Sequence, residues 1–150
     1  TWALWERVKF GKSSMVGLVT GTIAGLASIT PASGFVGPWA ALLIGAVAGV
    51  LCQEAVMLIR NKAKIDDTLD VFAVHGVGGI FGTIMIAALG VGTWTAQLGS
   101  LAIVGIYTTV VTVALVVICK AITPLRVSRE IEVGGLDLAV HGERAYDLSN

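Results

Sequence analysis

The chain has 150 residues, of which 55% are hydrophobic and only 13% are charged, and its ten basic and ten acidic residues cancel. Roughly a quarter of the residues of a soluble domain are charged, so this composition favours a membrane protein. Without net positive charge the chain has no electrostatic attraction for a phosphate backbone, and we expect no nucleic-acid partner.

Four segments meet the requirement of about 20 mostly apolar residues for a membrane-spanning helix. Before them, Trp2 and Trp5 are typical of anchors at a membrane interface, so we interpret residues 1–5 as the end of a preceding span. The predicted spans cover residues 14–36, 38–59, 69–89 and 98–122. This assigns residues 1–122 to a transmembrane region and residues 123–150 to a polar tail.

Basic residues alternate between the two sides of the predicted membrane region. They precede the first span, follow the second and follow the fourth: Arg7, Lys9 and Lys12; Arg60, Lys62 and Lys64; Lys120, Arg126 and Arg129. The links after the first and third spans carry no charge. Because cytoplasmic loops collect Lys and Arg, the N-terminal segment, the loop at residues 60–64 and the C-terminal tail are predicted to be cytoplasmic.

Glycines recur at four-residue spacing within the predicted spans, which places them on one helix face and favours close helix crossings. These ridges are Gly17, Gly21 and Gly25; Gly45 and Gly49; and Gly78 and Gly82. The two cysteines, Cys52 and Cys119, lie in apolar runs and lack the spacing of a zinc site. We interpret them as small core residues and predict no metal site.

One titratable residue, His75, lies inside the apolar third span. Counted from Asp67 it is about eight residues, or roughly 12 Å of helix, from the membrane edge, near the middle of a hydrocarbon core of about 30 Å. Ionisable groups at that depth usually face the bundle interior and mark a pathway. A buried imidazole favours its neutral form, which both donates and accepts hydrogen bonds. This predicts contact with a small polar molecule; a hydrogen bond to a neighbouring helix is the alternative.

The neighbours of His75 suggest what it faces. Val71, His75, Gly78 and Gly82 follow the spacing i, i+4, i+7 and i+11, so we expect them on one stripe lining a narrow, mostly apolar lumen. Haem ligation would need a second histidine at matching depth, and His141 lies in the polar tail instead. The chain shows no nucleophile arrangement, metal cluster or phosphate loop, so we expect neither enzymatic activity nor a cofactor.

Three stretches resemble the ammonium transporter (Amt/Mep/Rh) family. DDTLDVFAVHGVGGIFG is similar to the segment with the second of two pore histidines, GTIAGLASITPASGFVGPWAALLIGAVAGV to a helix pair, and GLDLAVHGERAYDL to the tail signature of the Amt branch. The resemblance implies an all-α membrane protein, a polytopic helix bundle. This chain would be the last four to five of eleven helices of an inverted-repeat transporter, plus a cytoplasmic tail. The family's first pore histidine and outer binding site lie in a first half that we expect a longer protein to supply.

The resemblance implies transport of ammonium or ammonia across the cell membrane, through a narrow hydrophobic pore lined by a buried histidine. An ammonium sensor that signals through the tail is the alternative. The residues expected along the substrate pore are His75, Val71 and Asp70. Those expected to have a structural or gating role are Asp67, Gly78 and Gly82. For Asp67, capping of the helix is an equally good interpretation.

For the tail, the resemblance implies regulation. The tail residues that match the signature are Gly135, Asp137, His141, Gly142, Glu143 and Tyr146. The resemblance further implies a homotrimer with one pore per subunit, embedded in the lipid of the inner (cell) membrane with its C-terminus in the cytoplasm. A PII signalling protein is the candidate partner at the cytoplasmic face.

Overall fold

The computed structural model describes residues 1–144, and all regular structure in that part of the chain is helical. The α-helices are α1 (Trp2–Phe10), α2 (Met15–Ile29), α3 (Pro38–Met57), α4 (Val77–Ala88), α5 (Trp94–Ile122) and α6 (Arg129–Gly134). A 3₁₀ turn spans Thr30–Ala32, and π turns span Leu58–Ala63, Phe72–Gly76 and Asp137–His141. The predicted all-α helix bundle is confirmed.

Within residues 1–144, three helices are long and apolar enough to cross a membrane. They cover Met15–Ala32, Pro38–Ala63 and Trp94–Ile122. The fourth apolar helix, Phe72–Ala88, is shorter than the span predicted over residues 69–89. Asp70 (φ 54°) before it and Gly90 (φ 71°) after it adopt the left-handed conformation, which interrupts a helix. At 1.5 Å per residue this helix is about 25 Å long, a little less than the hydrocarbon core.

The chain divides into two compact units, Thr1–Val104 and Gly105–Asn150. In the first unit, α2 packs against both α3 and α4. Most of the residues with no exposed surface there are small: Ala24, Ser28, Ala32, Ile44, Ala48, Cys52 and Ala73. Small side chains let membrane helices approach closely and gain van der Waals contact, so this interface is the core of the first unit.

The predicted glycine ridges lie at contacts between segments. A Cβ atom would collide with another segment at five positions, Gly17, Gly21, Gly49, Gly78 and Gly82. At Gly25 and Gly45 the same atom would meet open space. The prediction of close crossings is therefore confirmed at five of the seven glycines.

Helix α1 packs on the ridges of α2 and α3. Trp2 is only 5% exposed and its side chain lies against Gly21. Trp5 donates from Nε1 to Glu54 Oε1 at 2.5 Å, and Lys9 Nζ forms an ion pair with the same oxygen at 2.6 Å. Trp2 was expected at the membrane interface but is buried in the protein, because the ridge leaves room for its indole.

The two cysteines differ in environment. Cys52 has no exposed surface, as predicted for a core residue. Cys119 is exposed on α5, where no residue from Trp94 to Ile122 is buried. The prediction of a core position is wrong for Cys119, because an apolar run in a membrane helix does not indicate which residues pack against protein.

In the second unit, polar contacts connect the segment after α5 to α6. Arg126 makes a two-pronged pair with Glu132, with Nε–Oε1 at 2.7 Å and Nη2–Oε2 at 3.1 Å. The backbone N–H of Glu130 and the Ser128 hydroxyl donate to the Glu130 carboxylate and lower its pKa. These contacts organise the start of α6.

Candidate functional site

Asp67 caps the helical segment that carries His75. Its Oδ1 accepts from the backbone N–H of Val71 at 2.8 Å, and its Oδ2 accepts from Phe72 at 3.0 Å and Ala73 at 3.2 Å. The first N–H groups of a helix have no partner within the helix, and a carboxylate there also complements the helix dipole. The capping interpretation of Asp67 therefore describes what its side chain does in the structure.

Asp70 is held by an arginine. Its Oδ1 lies 2.8 Å from Arg60 Nε, and its side chain is 16% exposed. Arg60 Nη2 also donates to the Thr68 carbonyl oxygen at 3.0 Å, so one guanidinium ties the loop to the end of the α3 segment. Burial raises the pKa of Asp70, the neighbouring charge of Asp67 raises it further, and Arg60 opposes both. Asp70, expected along the substrate pore, contacts this guanidinium.

His75 projects from the π turn Phe72–Gly76, and its side chain is exposed in this chain. Ala73 and Val74, in the same turn, are 0% and 2% exposed and face the core. The predicted burial of the imidazole is therefore not found here. Val71, four residues before His75, is 52% exposed. With the i→i+5 winding of a π turn, residues four apart lie on nearly the same side of the helix, so Val71 and His75 share one face.

Gly78 and Gly82 face α2 and not the same open side as His75. Both are buried, and a Cβ atom at Gly82 would overlap the Ser28 carbonyl oxygen. The expectation of one stripe through Val71, His75 and both glycines is wrong. The spacing argument assumed 3.6 residues per turn throughout, and the π turn rotates the residues after it relative to those before it.

Buried polar groups near this site were not identified from the sequence. Ser28 is wholly buried and Gln53 is 3% exposed. Gln53 Oε1 has no hydrogen-bond partner within residues 1–144, whereas the Ser28 hydroxyl interacts with the Cys52 thiol. One signal for Ser28 was available, because Gly17, Ala24 and Ser28 are small residues at helical spacing and all three are buried on α2.

The predicted tail residues lie in the second unit. Gly135 adopts φ 103° and Gly142 φ 72°, backbone conformations that favour glycine. At Gly135 a Cβ atom would also lie 2.6 Å from Asp137 Oδ1. His141 ends the π turn Asp137–His141, and its side chain is exposed.

Two other predicted tail residues complete the set. Glu143 follows the π turn and is exposed. Tyr146 lies outside the described residues.

Comparison with known proteins supplies the context for these residues. The sequence profile described as Ammonium Transporter Family matches residues 1–146. An ammonium transporter of Bacillus subtilis is 37% identical over 99% of this chain and 41% of its own length. Ammonium transporter Amt1 of Archaeoglobus fulgidus is 41% identical over 91% of this chain and 38% of its own length. The chain spans about two fifths of the length of the curated relatives it matches.

Proposed function

Because the chain belongs to the ammonium transporter family, we propose that it takes part in moving ammonium or ammonia across the cell membrane. The observation that carries this proposal is the match itself, which runs through nearly the whole chain to relatives named as ammonium transporters. The apolar helices supply the membrane-spanning part. The alternation of basic residues supports an orientation with the tail in the cytoplasm.

In this proposal His75 and Val71 line the substrate path. Both are exposed in this chain, next to the buried pair Ala73 and Val74, so they point away from the core of the first unit. Taking an intact cation out of water into an apolar passage costs several kcal/mol or more. Ammonium therefore gives up its proton to water before the constriction, and His75 hydrogen-bonds the neutral molecule that passes. The released proton crosses by a separate route, so that transport carries charge.

Asp70 stands at the cytoplasmic end of that path in the proposal. Its pairing with Arg60 supports a part in shaping the entrance, because the same guanidinium also holds the loop at Thr68. Asp67 has a structural part through its three bonds to backbone N–H groups. Gly78 and Gly82 have a structural part as well, because they allow α4 to approach α2.

The remaining parts of the proposal follow from the family resemblance. The protein is a homotrimer in the inner membrane, surrounded by lipid, with one pore in each subunit. The tail residues Gly135, Asp137, His141, Gly142, Glu143 and Tyr146 belong to a regulatory segment. A PII signalling protein docks on the cytoplasmic face and acts through that segment.

The proposal is tested by current measurements on the full-length protein that contains this chain, reconstituted in liposomes on a solid-supported membrane. Pulses of ammonium, of potassium and of sodium are compared with the same pulses on protein-free liposomes. We expect a current with ammonium that protein-free liposomes lack, and little current with potassium. Equal currents for ammonium and potassium, or none above the protein-free level, would refute selective ammonium transport.

A further inference from the structure

A buried thiol contacts the turn that carries His75 from the core side. Cys52 Sγ on α3 lies 3.8 Å from the Val74 carbonyl oxygen, within hydrogen-bonding reach for sulfur. Cys52 is 0% exposed and Val74 is 2% exposed, so water does not compete for this contact. Val74 immediately precedes His75 in the π turn. The thiol therefore acts on the peptide unit that connects the core to the imidazole.

The Val74 carbonyl shares a backbone donor at the end of the π turn. The backbone N–H of Val77 reaches both the Phe72 and the Val74 carbonyl oxygens, so one donor is divided between two acceptors. Hydrogen-bond geometry in a π turn departs from the regular α-helical pattern. Inside a membrane, backbone groups must find their partners within the protein. The Cys52 thiol is a second donor for the Val74 carbonyl at that position.

The thiol also lies close to α2 and α4. A Cβ atom at Gly78 would lie 3.3 Å from Cys52 Sγ and 2.8 Å from Ser28 Oγ. Side chains from α2 and α3 therefore meet the backbone of α4 at one place. Ser28 is wholly buried, and its hydroxyl interacts with the Cys52 thiol. The buried cluster of Ser28, Cys52 and Gly78 therefore packs the thiol against α2 and α4 beside Val74.

We infer that Cys52 is a positioning residue for His75: its thiol, by donating to the Val74 carbonyl, sets the π turn and hence the direction of the imidazole. The importance of that direction for transport rests on the function proposed above. The contact between the Cys52 thiol and the π turn is independent of that function. The two can be separated by measuring the imidazole directly as well as the current.

The test uses the full-length protein in lipid with three substitutions. Cys52→Ala removes the donor, Cys52→Ser replaces the thiol with a hydroxyl that can also donate, and Cys119→Ala removes the exposed thiol of α5 as the matched control. The first measurement is the ¹⁵N magnetic resonance signals of the histidine side chains, with His75 assigned by comparison with His75→Ala. The second is the ratio of ammonium-evoked to potassium-evoked current.

We expect Cys52→Ala to shift the His75 signals and to lower the selectivity ratio by about threefold, the size expected for loss of one weak hydrogen bond. Cys52→Ser returns both towards the wild-type values, and Cys119→Ala changes neither. Unchanged His75 signals in Cys52→Ala would overturn the inference. Signals equally shifted in a folded Cys52→Ser would also overturn it, since volume and not donation would then be responsible. If Cys52→Ala does not fold, Cys52→Ser is compared with wild type alone. His75 signals at their wild-type positions then support the inference, and shifted signals overturn it.

One further outcome separates this inference from the proposed function. Shifted His75 signals in Cys52→Ala, reversed in Cys52→Ser, together with an unchanged current ratio would support the positioning contact. The same result would count against a role for His75 in selectivity.

Discussion

Gly82→Ala tests the packing of α4 on α2 with a substitution whose two effects have opposite signs. In a helix, alanine is favoured over glycine by about 0.8–1 kcal/mol. At position 82, however, the added methyl group would overlap the Ser28 carbonyl oxygen and lie 3.2 Å from Pro31 Cδ. A backbone carbonyl cannot rotate aside as a side-chain tip can, and overpacking of this kind costs about 1–3 kcal/mol. We expect a net destabilisation of up to about 2 kcal/mol.

Gly79→Ala is the matched control on the same helix, because its Cβ atom would meet nothing within 4 Å. It should keep the propensity gain and raise stability slightly. The two variants are compared with wild type by thermal unfolding in one detergent, monitored by the loss of the monodisperse peak in size-exclusion chromatography. A Gly82→Ala protein as stable as Gly79→Ala would refute the close approach of α4 to α2.

Three further predictions concern the polar contacts at the helix ends. Asp67→Ala should lower the free energy of unfolding by about 1–2 kcal/mol in thermal unfolding, because three backbone N–H groups lose their acceptor; an unchanged stability would contradict the cap. Because burial raises the pKa of Asp70, the folded protein binds this proton more readily than the unfolded chain, so its contribution to stability rises as pH falls through that pKa. The wild-type stability minus that of Asp70→Asn should therefore increase on acidification, and a decrease would contradict the assigned direction. The Lys9–Glu54 pair is 35% and 43% exposed, so a double-mutant cycle with Lys9→Met and Glu54→Gln should give a coupling of about 1 kcal/mol or less; a larger coupling would mean that lipid excludes water from the pair.

The four apolar helical segments could be predicted from the sequence because each is an apolar run bounded by polar residues or by glycine and proline. The glycine ridges could be predicted for a similar reason, since close helix contacts in membranes favour small residues at regular spacing. For Gly78 and Gly82, regular spacing predicted the close contact but not the direction of the helix face. Regular helical spacing placed them on one face with His75. The face that points to α2 depends on the winding of the π turn Phe72–Gly76, which precedes both glycines.

The π turn itself had no sequence signal that we could use. Its backbone is contacted by Cys52, which lies 22 residues before Val74, and by the Asp67 carboxylate, and the identity of these partners could not be read from the sequence. The partner of Asp70 was missed for a related reason. Arg60 is ten residues away and reaches Asp70 only because the loop folds back. A carboxylate next to a predicted span therefore suggested a place on the substrate path and not an ion pair within the protein.

Whether His75 lies on the path of ammonium is tested by a single comparison of currents. The full-length protein is reconstituted as wild type, as His75→Ala and as Ile80→Ala, which alters an exposed apolar residue of the same helix. We expect His75→Ala to abolish the ammonium-evoked current or its selectivity over potassium, and Ile80→Ala to retain both. A wild-type current and selectivity in a folded His75→Ala protein would contradict the claim.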